Sequence, residues 1–148
     1  MPSIWIGFDP RETAAYAVAR RSIDDHITQP IPVRGLILDE LREKGLYWRP
    51  TERRLGKLYD VISEHEMATE FAISRFLVPH LAHDQWALFM DCDMLIRSNI
   101  TRLFQGLDSS KAVYCVKHNH VPINAEKMDG QGQSAYARKN WSSFMIFN

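Results

Sequence analysis

The apolar residues near the start of the chain fall into runs that predict a strand, a helix and a second strand. Residues 3–8 form a compact apolar run that ends at Asp9-Pro10, where Asp9 can cap a helix and Pro10 suits its first turn. Small and apolar residues then recur at helical spacing over residues 11–27, and residues 33–38 form another apolar run. This order is typical of two parallel strands joined by a right-handed crossover.

The rest of the chain continues this alternation of helical and extended patterns. Residues 39–54 are polar, charged and aromatic, and they predict a surface excursion with one short helix. Apolar side chains at helical spacing predict a longer helix over residues 66–81. The remaining predictions are strands at 86–90, 112–116 and 144–147, a short helix at 100–104 that Asn99 could cap, and a polar loop at 119–140. We expect one α/β domain over residues 1–148, and the apolar run at its end leads us to expect further sequence beyond it.

Composition narrows the class of protein. The chain has 148 residues, is 45% hydrophobic, and carries 18 basic and 18 acidic residues, so we expect a globular domain without a general attraction for nucleic acid. Cys92 and Cys115 follow no zinc-site spacing and suit a reducing compartment. The sequence shows neither a signal peptide nor a transmembrane segment, and we therefore expect a cytoplasmic protein.

Two carboxylates follow the apolar run at residues 86–90. Asp91 and Asp93 are separated by one residue, and residues two apart on an extended chain point the same way. In open α/β sheets, ligands bind beyond the carboxyl ends of the strands. Hard carboxylate oxygens there suit Mg²⁺ or Mn²⁺, and such an ion could bridge to a diphosphate. The Cys92 thiol is a poor ligand for a hard ion, and we expect it to point into the packing.

The same segment resembles a known family. Residues 88–104, LFMDCDMLIRSNITRLF, resemble the Asp-x-Asp region of the GT-A-fold glycosyltransferases, especially the glycogenin-like, family-8 group. IWIGFDPRETAAYAVARRSI resembles the first strand and helix of that family, and EFAISRFLVPHL resembles the helix before its Asp-x-Asp strand. WSSFMIFN resembles the following strand, so the resemblance covers nearly the whole chain except residues 39–64.

The resemblance implies a Rossmann-like αβα sandwich with a mostly parallel sheet. It implies transfer of a sugar, with retained configuration, from a UDP-linked or other nucleotide-sugar donor to an acceptor that is a sugar, a lipid-linked sugar or a protein. Asp91 and Asp93 would hold Mn²⁺ or Mg²⁺. The residues implied to bind the donor nucleotide are Phe8, Asp9, Arg11, Arg75, Asp91 and Cys92. Those implied for the donor sugar are Ser142, Ser143 and Asn148.

The chain departs from the family at its end. The family has a further C-terminal region that supplies another metal ligand, usually a histidine, and much of the acceptor pocket. His118 and His120 precede the last strand and do not match that ligand. No side chain of this sequence can be named as a catalytic nucleophile or base, so the metal would act electrostatically on the departing diphosphate.

Simpler interpretations stand beside these roles. A lone helix arginine such as Arg75 is often a surface ion-pair partner, and Asp9 is explained by helix capping alone. His118 and His120 suit a solvated loop. Gly130 and Gly132 suggest a flexible loop that could close over a ligand, because they lack the lysine of a phosphate loop. The remaining weak candidates, for stacking on a sugar, are Tyr136 and Trp141.

Two rival functions come from other classes. A haloacid-dehalogenase-type phosphatase also places Asp-x-Asp after an apolar strand, but it has a threonine where this chain has Leu95, and its motif lies near the N-terminus. The second rival is a non-catalytic or truncated module that binds the nucleotide-sugar without turnover. A phosphate-ester assay and a donor-binding assay would separate these alternatives from a transferase.

Overall fold

The computed structural model describes residues 1–83, 85–118 and 139–148. In chain order, the elements are β1 (Ser3–Gly7), a 3₁₀ turn (Pro10–Glu12), α1 (Thr13–Asp24), β2 (Val33–Leu36), α2 (Leu38–Glu43), β3 (Thr51–Arg54), β4 (Lys57–Asp60), β5 (His65–Met67), a 3₁₀ turn (Ser74–Leu77), α3 (Val78–Leu81), β6 (Ala87–Met90), a 3₁₀ turn (Ile100–Phe104), β7 (Val113–His118) and β8 (Lys139–Phe147). None of the helices in these ranges has the length and hydropathy that a membrane-spanning helix needs.

The main sheet has five strands in the order β2-β1-β6-β8-β7, and it is mixed. β1 is parallel to both β2 and β6, whereas β8 is antiparallel to β6 and β7. The α/β class and the parallel β1–β2 unit are confirmed, but the prediction of a mostly parallel sheet is wrong. A buried strand carries the same apolar run whichever way it points, so the reversed direction of β8 left no trace in the pattern.

The core lies on both faces of β1 and β6. Every residue of these two strands is buried, as their unbroken apolar runs predict for central strands. Helix α1 packs on the sheet through Ala19, Ser22 and Ile23, while Val18 remains 58% exposed. The Ser22 hydroxyl donates to the Ala19 carbonyl (2.7 Å) and accepts from the backbone N–H of Ile96 (3.0 Å). This contact ties α1 to the segment that follows β6.

The predicted helix over residues 66–81 is wrong. Residues 65–67 are β5, residues 68–73 form turns, and the helical part is limited to a 3₁₀ turn and α3. The apolar spacing has a different cause, because Met67 pairs with Leu58 of β4 and Phe71 packs against Gly7 and Phe89. These tertiary contacts override the local helical pattern.

A small antiparallel sheet, β3-β4-β5, begins at the end of the predicted excursion over residues 39–54 and continues to residue 67. The short helix is confirmed as α2, but the sheet was not predicted. The short helix at 100–104 and the strand at 112–116 are also confirmed, and Asn99 caps the former by accepting from the Thr101 N–H (3.1 Å). Most of the predicted polar loop at 119–140 lies outside the described residues.

Candidate functional site

The carboxyl ends of β1 and β6 lie side by side, because Ile6 of β1 is in register with Met90 of β6. The residues that follow the two strands therefore share one edge of the sheet, which we call the carboxyl edge. It carries Phe8, Asp9, Arg11 and Glu12 after β1, and Asp91, Cys92 and Asp93 after β6. A direct contact joins the two groups, since the Cys92 thiol donates to the Glu12 carboxylate (Sγ to Oε2, 3.2 Å).

Asp91 is the most unusual group at the carboxyl edge. Its Oδ1 lies 3.1 Å from Nη1 of Arg75, and its side chain is 21% exposed. This oxygen is nevertheless buried without an aligned hydrogen bond from any described residue. Asp91 and Arg75 are therefore close enough for an ion pair, but no aligned hydrogen bond joins them. Burial raises the pKa of Asp91 to about 6; Arg75 opposes the rise, and the acids Asp93 and Glu12 add to it.

Arg75 lies beneath the carboxyl edge and is only 7% exposed, which excludes the surface ion pair that the sequence left open. Its Nε donates to the Phe71 carbonyl (3.2 Å) and its Nη1 to the Ser142 carbonyl (2.7 Å). The guanidinium also lies 4.9 Å from the ring centre of Phe89. Burial lowers the pKa of Arg75, while Asp91 and Asp93 raise it. The fold therefore fixes a cation under Asp91 through backbone and ring contacts.

Asp93 and Cys92 differ sharply in exposure. Asp93 is exposed at the rim, whereas Cys92 is 2% exposed. Burial and the hydrogen bond to Glu12 raise the pKa of the Cys92 thiol to about 12, so it remains a neutral thiol at physiological pH. Sequence reasoning missed Glu12. Glu12 lies three residues after Asp9, which ends the first apolar run, and this spacing could have indicated that Glu12 lies at the same edge.

Asp9 is a fully engaged structural group. Its side chain is 1% exposed, its Oδ1 accepts from the backbone N–H (3.0 Å) and Nε (2.9 Å) of Arg11, and its Oδ2 accepts from Nη2 of Arg11 (2.9 Å) and the N–H of Glu70 (3.1 Å). Burial alone would raise the pKa of Asp9, but these donors lower it. Arg11 extends to the Ala68 carbonyl (2.7 Å), and Phe8 packs edge-on against Tyr16. These contacts brace the β1 side of the carboxyl edge.

The three residues of the last strand that the sequence singled out lie at different ends of the sheet. The Ser143 carbonyl accepts from the backbone N–H of Asp91 (2.8 Å), and Ser142 adjoins Arg75 as described above. Asn148 follows the opposite end of β8, where its Nδ2 donates to the carbonyls of Ser109 (2.8 Å) and Lys111 (3.2 Å). The structure thus brings Ser142 and Ser143 to Asp91 and keeps Asn148 at the far edge.

Several sequence candidates lie outside the described residues, namely His120, Gly130, Gly132 and Tyr136. His118 and Trp141 are placed only as backbone in β7 and β8. Within the part of the chain that the structure describes, no three His, Cys, Asp or Glu side chains converge as a metal-binding group. Of the carboxylates at this edge, Asp9 is engaged by Arg11 and Glu70 and Glu12 accepts from Cys92, whereas Asp93 is exposed and Asp91 keeps one oxygen without an aligned donor among the described residues.

Comparison with known proteins gives one informative relative. The chain is 44% identical over 146 residues to a protein of Arabidopsis thaliana called Protein CDI, an alignment that covers 98% of this chain and 52% of that protein. The chain thus spans about half the length of the curated relative it matches. No protein-family profile matches the sequence, and no solved structure matches it either.

These comparisons correct the family assignment. The predictions of GT-A membership and of sugar transfer are wrong, because the chain aligns along nearly its whole length with a protein that is not named as a glycosyltransferase. The rival functions, a non-catalytic nucleotide-sugar module and a dehalogenase-type phosphatase, gain no support from that match. The resemblance rests on a pattern of a buried strand, two acidic residues and a second apolar segment. This pattern places carboxylates at a sheet edge in proteins of many functions, so it does not identify one family.

Proposed function

We propose that the carboxyl edge binds a divalent cation, Mg²⁺ or Mn²⁺, together with a phosphate-bearing ligand. The observation that carries the proposal is the state of Asp91, a partly buried carboxylate whose buried Oδ1 lacks an aligned hydrogen bond from the described residues and whose pKa is raised to about 6. Such a group is poorly stabilised in its charged form, and a directly bound cation would supply the missing stabilisation.

The choice of cation follows from the ligand atoms. Asp91 and Asp93 offer carboxylate oxygens, which are hard ligands preferred by Mg²⁺ and Mn²⁺. The Cys92 thiol between them is turned to Glu12 and remains protonated, so it does not favour a soft metal. Asp93 is exposed and free to approach an ion from solvent, whereas Asp91 is held in place by its backbone bond to Ser143.

The choice of a phosphate-bearing partner follows from the usual coordination of these ions. Mg²⁺ keeps several waters and is commonly bound through one or two carboxylates plus phosphate oxygens of a ligand. The carboxyl ends of neighbouring parallel strands are also the place where α/β sheets bind such ligands. Arg75 contributes a fixed positive charge under the same edge.

Calorimetric titration of the chain with methyl phosphate, with and without MgCl₂, tests the proposal. We expect binding in MgCl₂ that disappears in EDTA, and we expect at least about tenfold weaker binding for Asp91→Asn and for Asp93→Asn. Asp108→Asn is the matched control, because Asp108 is an exposed acid near Tyr114 and distant in sequence from the carboxyl edge. Equal binding by all four proteins, or binding that ignores Mg²⁺, would refute the proposed site.

A further inference from the structure

An apolar groove runs from the carboxyl edge along the outer side of α1. Two adjoining cavities of about 290 and 330 Å³ form it, and both are lined by Val18 of α1 and Leu95 of the segment after β6. Ala14 and Met94 line the first cavity, which reaches Asp93, and Arg21 lines the second. One groove therefore runs from Asp93, one of the two proposed cation ligands, to the surface beside the end of α1.

The walls of this groove are apolar side chains that the described residues leave uncovered. Val18 is 58% exposed and Leu95 is 60% exposed, although residues of this kind are usually buried on an amphipathic helix and its neighbour. The floor is fixed, because the Ser22 hydroxyl holds the backbone N–H of Ile96 (3.0 Å). The groove is thus a shallow, open depression with a fixed floor.

The charges around the groove indicate which part of a ligand it would hold. The end near Asp93 is the only one adjoining the proposed cation, and at the other end Arg21 is neutralised by Asp25 at 2.8 Å. A second anionic group would find no net positive charge at that far end. An uncharged hydrocarbon chain would instead cover Val18 and Leu95 and remove their apolar surface from water.

We propose that the ligand of the carboxyl edge is a phosphate monoester of a hydrocarbon alcohol, with its phosphate at the cation on Asp91 and Asp93 and its chain in the groove between α1 and Leu95. This inference rests on the proposed function and adds the substrate class. Full burial strengthens binding by about fourfold per methylene. The groove is open on one side, so we expect affinity to rise by at least about tenfold from methyl to octyl phosphate.

The test is a calorimetric titration with methyl, butyl and octyl phosphate in MgCl₂, below the concentrations at which the octyl ester forms micelles. In the wild-type chain we expect affinity to rise with chain length, and in the Val18→Ser/Leu95→Ser variant we expect this dependence to flatten. Leu55→Ser is the matched control, because Leu55 is a fully exposed apolar residue in the turn between β3 and β4, and it should keep the wild-type dependence. Both substituted positions are exposed, so thermal melting should show folded proteins in every case.

The outcomes separate this inference from the proposed function. Mg²⁺-dependent binding of methyl phosphate with no gain for the longer esters would overturn the groove assignment and leave the proposed function standing. Octyl phosphate binding that is unaffected by Mg²⁺, without methyl phosphate binding, would overturn both. If the double variant instead abolishes self-association in sedimentation experiments while the esters bind alike, the groove is an interface between copies of this chain and the assignment is also overturned.

Discussion

Two aspartates with buried carboxylate oxygens each lie against an arginine, and their surroundings are opposite. Asp60, at the end of β4, is 0% exposed and accepts from Nε (2.9 Å) and Nη2 (2.5 Å) of Arg49 and from the N–H of Ser63 (2.6 Å). Asp91 meets Arg75 at 3.1 Å through an oxygen that has no aligned donor among the described residues. The pKa of Asp60 is lowered to about 2, chiefly by its hydrogen bonds with Arg49, whereas burial raises the pKa of Asp91 to about 6.

The difference shows how to separate a structural carboxylate from a functional one in a single fold. Asp60 has its donors inside the protein, and its ionised form stabilises the small sheet. Asp91 follows a central strand, in the position where α/β sheets bind ligands, and no described residue gives its Oδ1 an aligned donor. An Arg–Asp distance alone would have classed the two pairs together.

The largest expected effect concerns Asp60. We expect Asp60→Asn to lower the free energy of unfolding by about 3 kcal/mol, because it breaks a buried ion pair and weakens the contact with Ser63. Asp91→Asn at pH 7 should not lower it, because the substitution removes a charge that burial disfavours and Arg75 retains its two carbonyl partners. Urea denaturation measures both values. Equal losses in the two variants would remove the distinction between the pairs.

The second effect is a pH dependence with a definite sign. Below about pH 3.8, Asp91 is protonated in both the folded and the unfolded state and contributes nothing to the difference. Between pH 3.8 and about 6 the folded protein retains a proton that the unfolded chain has released, so stability falls as the pH rises, and above about 6 the loss is complete. At about 1.4 kcal/mol per pH unit, and with some screening by solvent, we expect a loss of about 2.5 kcal/mol.

Urea denaturation of wild type and Asp91→Asn in EDTA, at pH 4 and pH 7, isolates this contribution. Asp60 contributes with the opposite sign, because its lowered pKa gives stability that is present above about pH 3.8 and lost as the pH falls toward 2. Its titration therefore lies below the window measured. A wild-type chain that loses no more stability than Asp91→Asn between the two pH values would contradict the raised pKa.

The third effect concerns the packing of Phe71 between Gly7 and Arg75. A Cβ at residue 7 would lie 2.6 Å from ring atoms of Phe71, the ring that lies 5.4 Å from the Arg75 guanidinium. We expect Gly7→Ala to lower stability by about 2 kcal/mol through overpacking, and to weaken Mg²⁺-dependent methyl phosphate binding by displacing Arg75. Adding Phe71→Leu should relieve the overlap and restore part of the stability. A Gly7→Ala variant with wild-type stability and wild-type methyl phosphate binding would show that the packing of Phe71 does not support the site.

The smallest effect is stabilisation by the cation itself. With Mg²⁺ at ten times its dissociation constant, we expect the free energy of unfolding to rise by about 1.4 kcal/mol in wild type and in Asp60→Asn. The increase should vanish in Asp91→Asn. Thermal melting with increasing MgCl₂, with a matched NaCl series as the ionic-strength control, measures it. An equal increase in Asp91→Asn would assign the stabilisation to another site or to general screening.

The sequence predicted the features that local pattern controls. The apolar runs located β1, β2 and β6, the Asp9-Pro10 pair marked the turn into α1, and Asn99 marked the start of its 3₁₀ turn. The apolar run before Asp91 and Asp93 likewise predicted that these two residues follow a buried strand. Each of these signals acts over a few residues, so it can be read without knowing the fold.

The rest depends on contacts between distant residues. Phe71 occupies the space over Gly7, and this packing replaced the helix expected over residues 66–81. The burial of Arg75 depends on the carbonyl of Ser142, 67 positions away, and the reversed direction of β8 on its pairing with β6. The family assignment failed for a related reason, since short motifs around a strand end follow from general physics and do not identify a reaction.

The most direct test of this account is a carboxyl-carbon NMR titration of Asp60 and Asp91, first in EDTA and then with MgCl₂ and methyl phosphate. We expect Asp91 to titrate near pH 6 in EDTA and at a lower pH when the cation is present, whereas Asp60 should titrate near pH 2 in both conditions. An Asp91 that titrates near its ordinary value of 3.8, and does not respond to Mg²⁺, would contradict the claim that this carboxylate is poised for a cation.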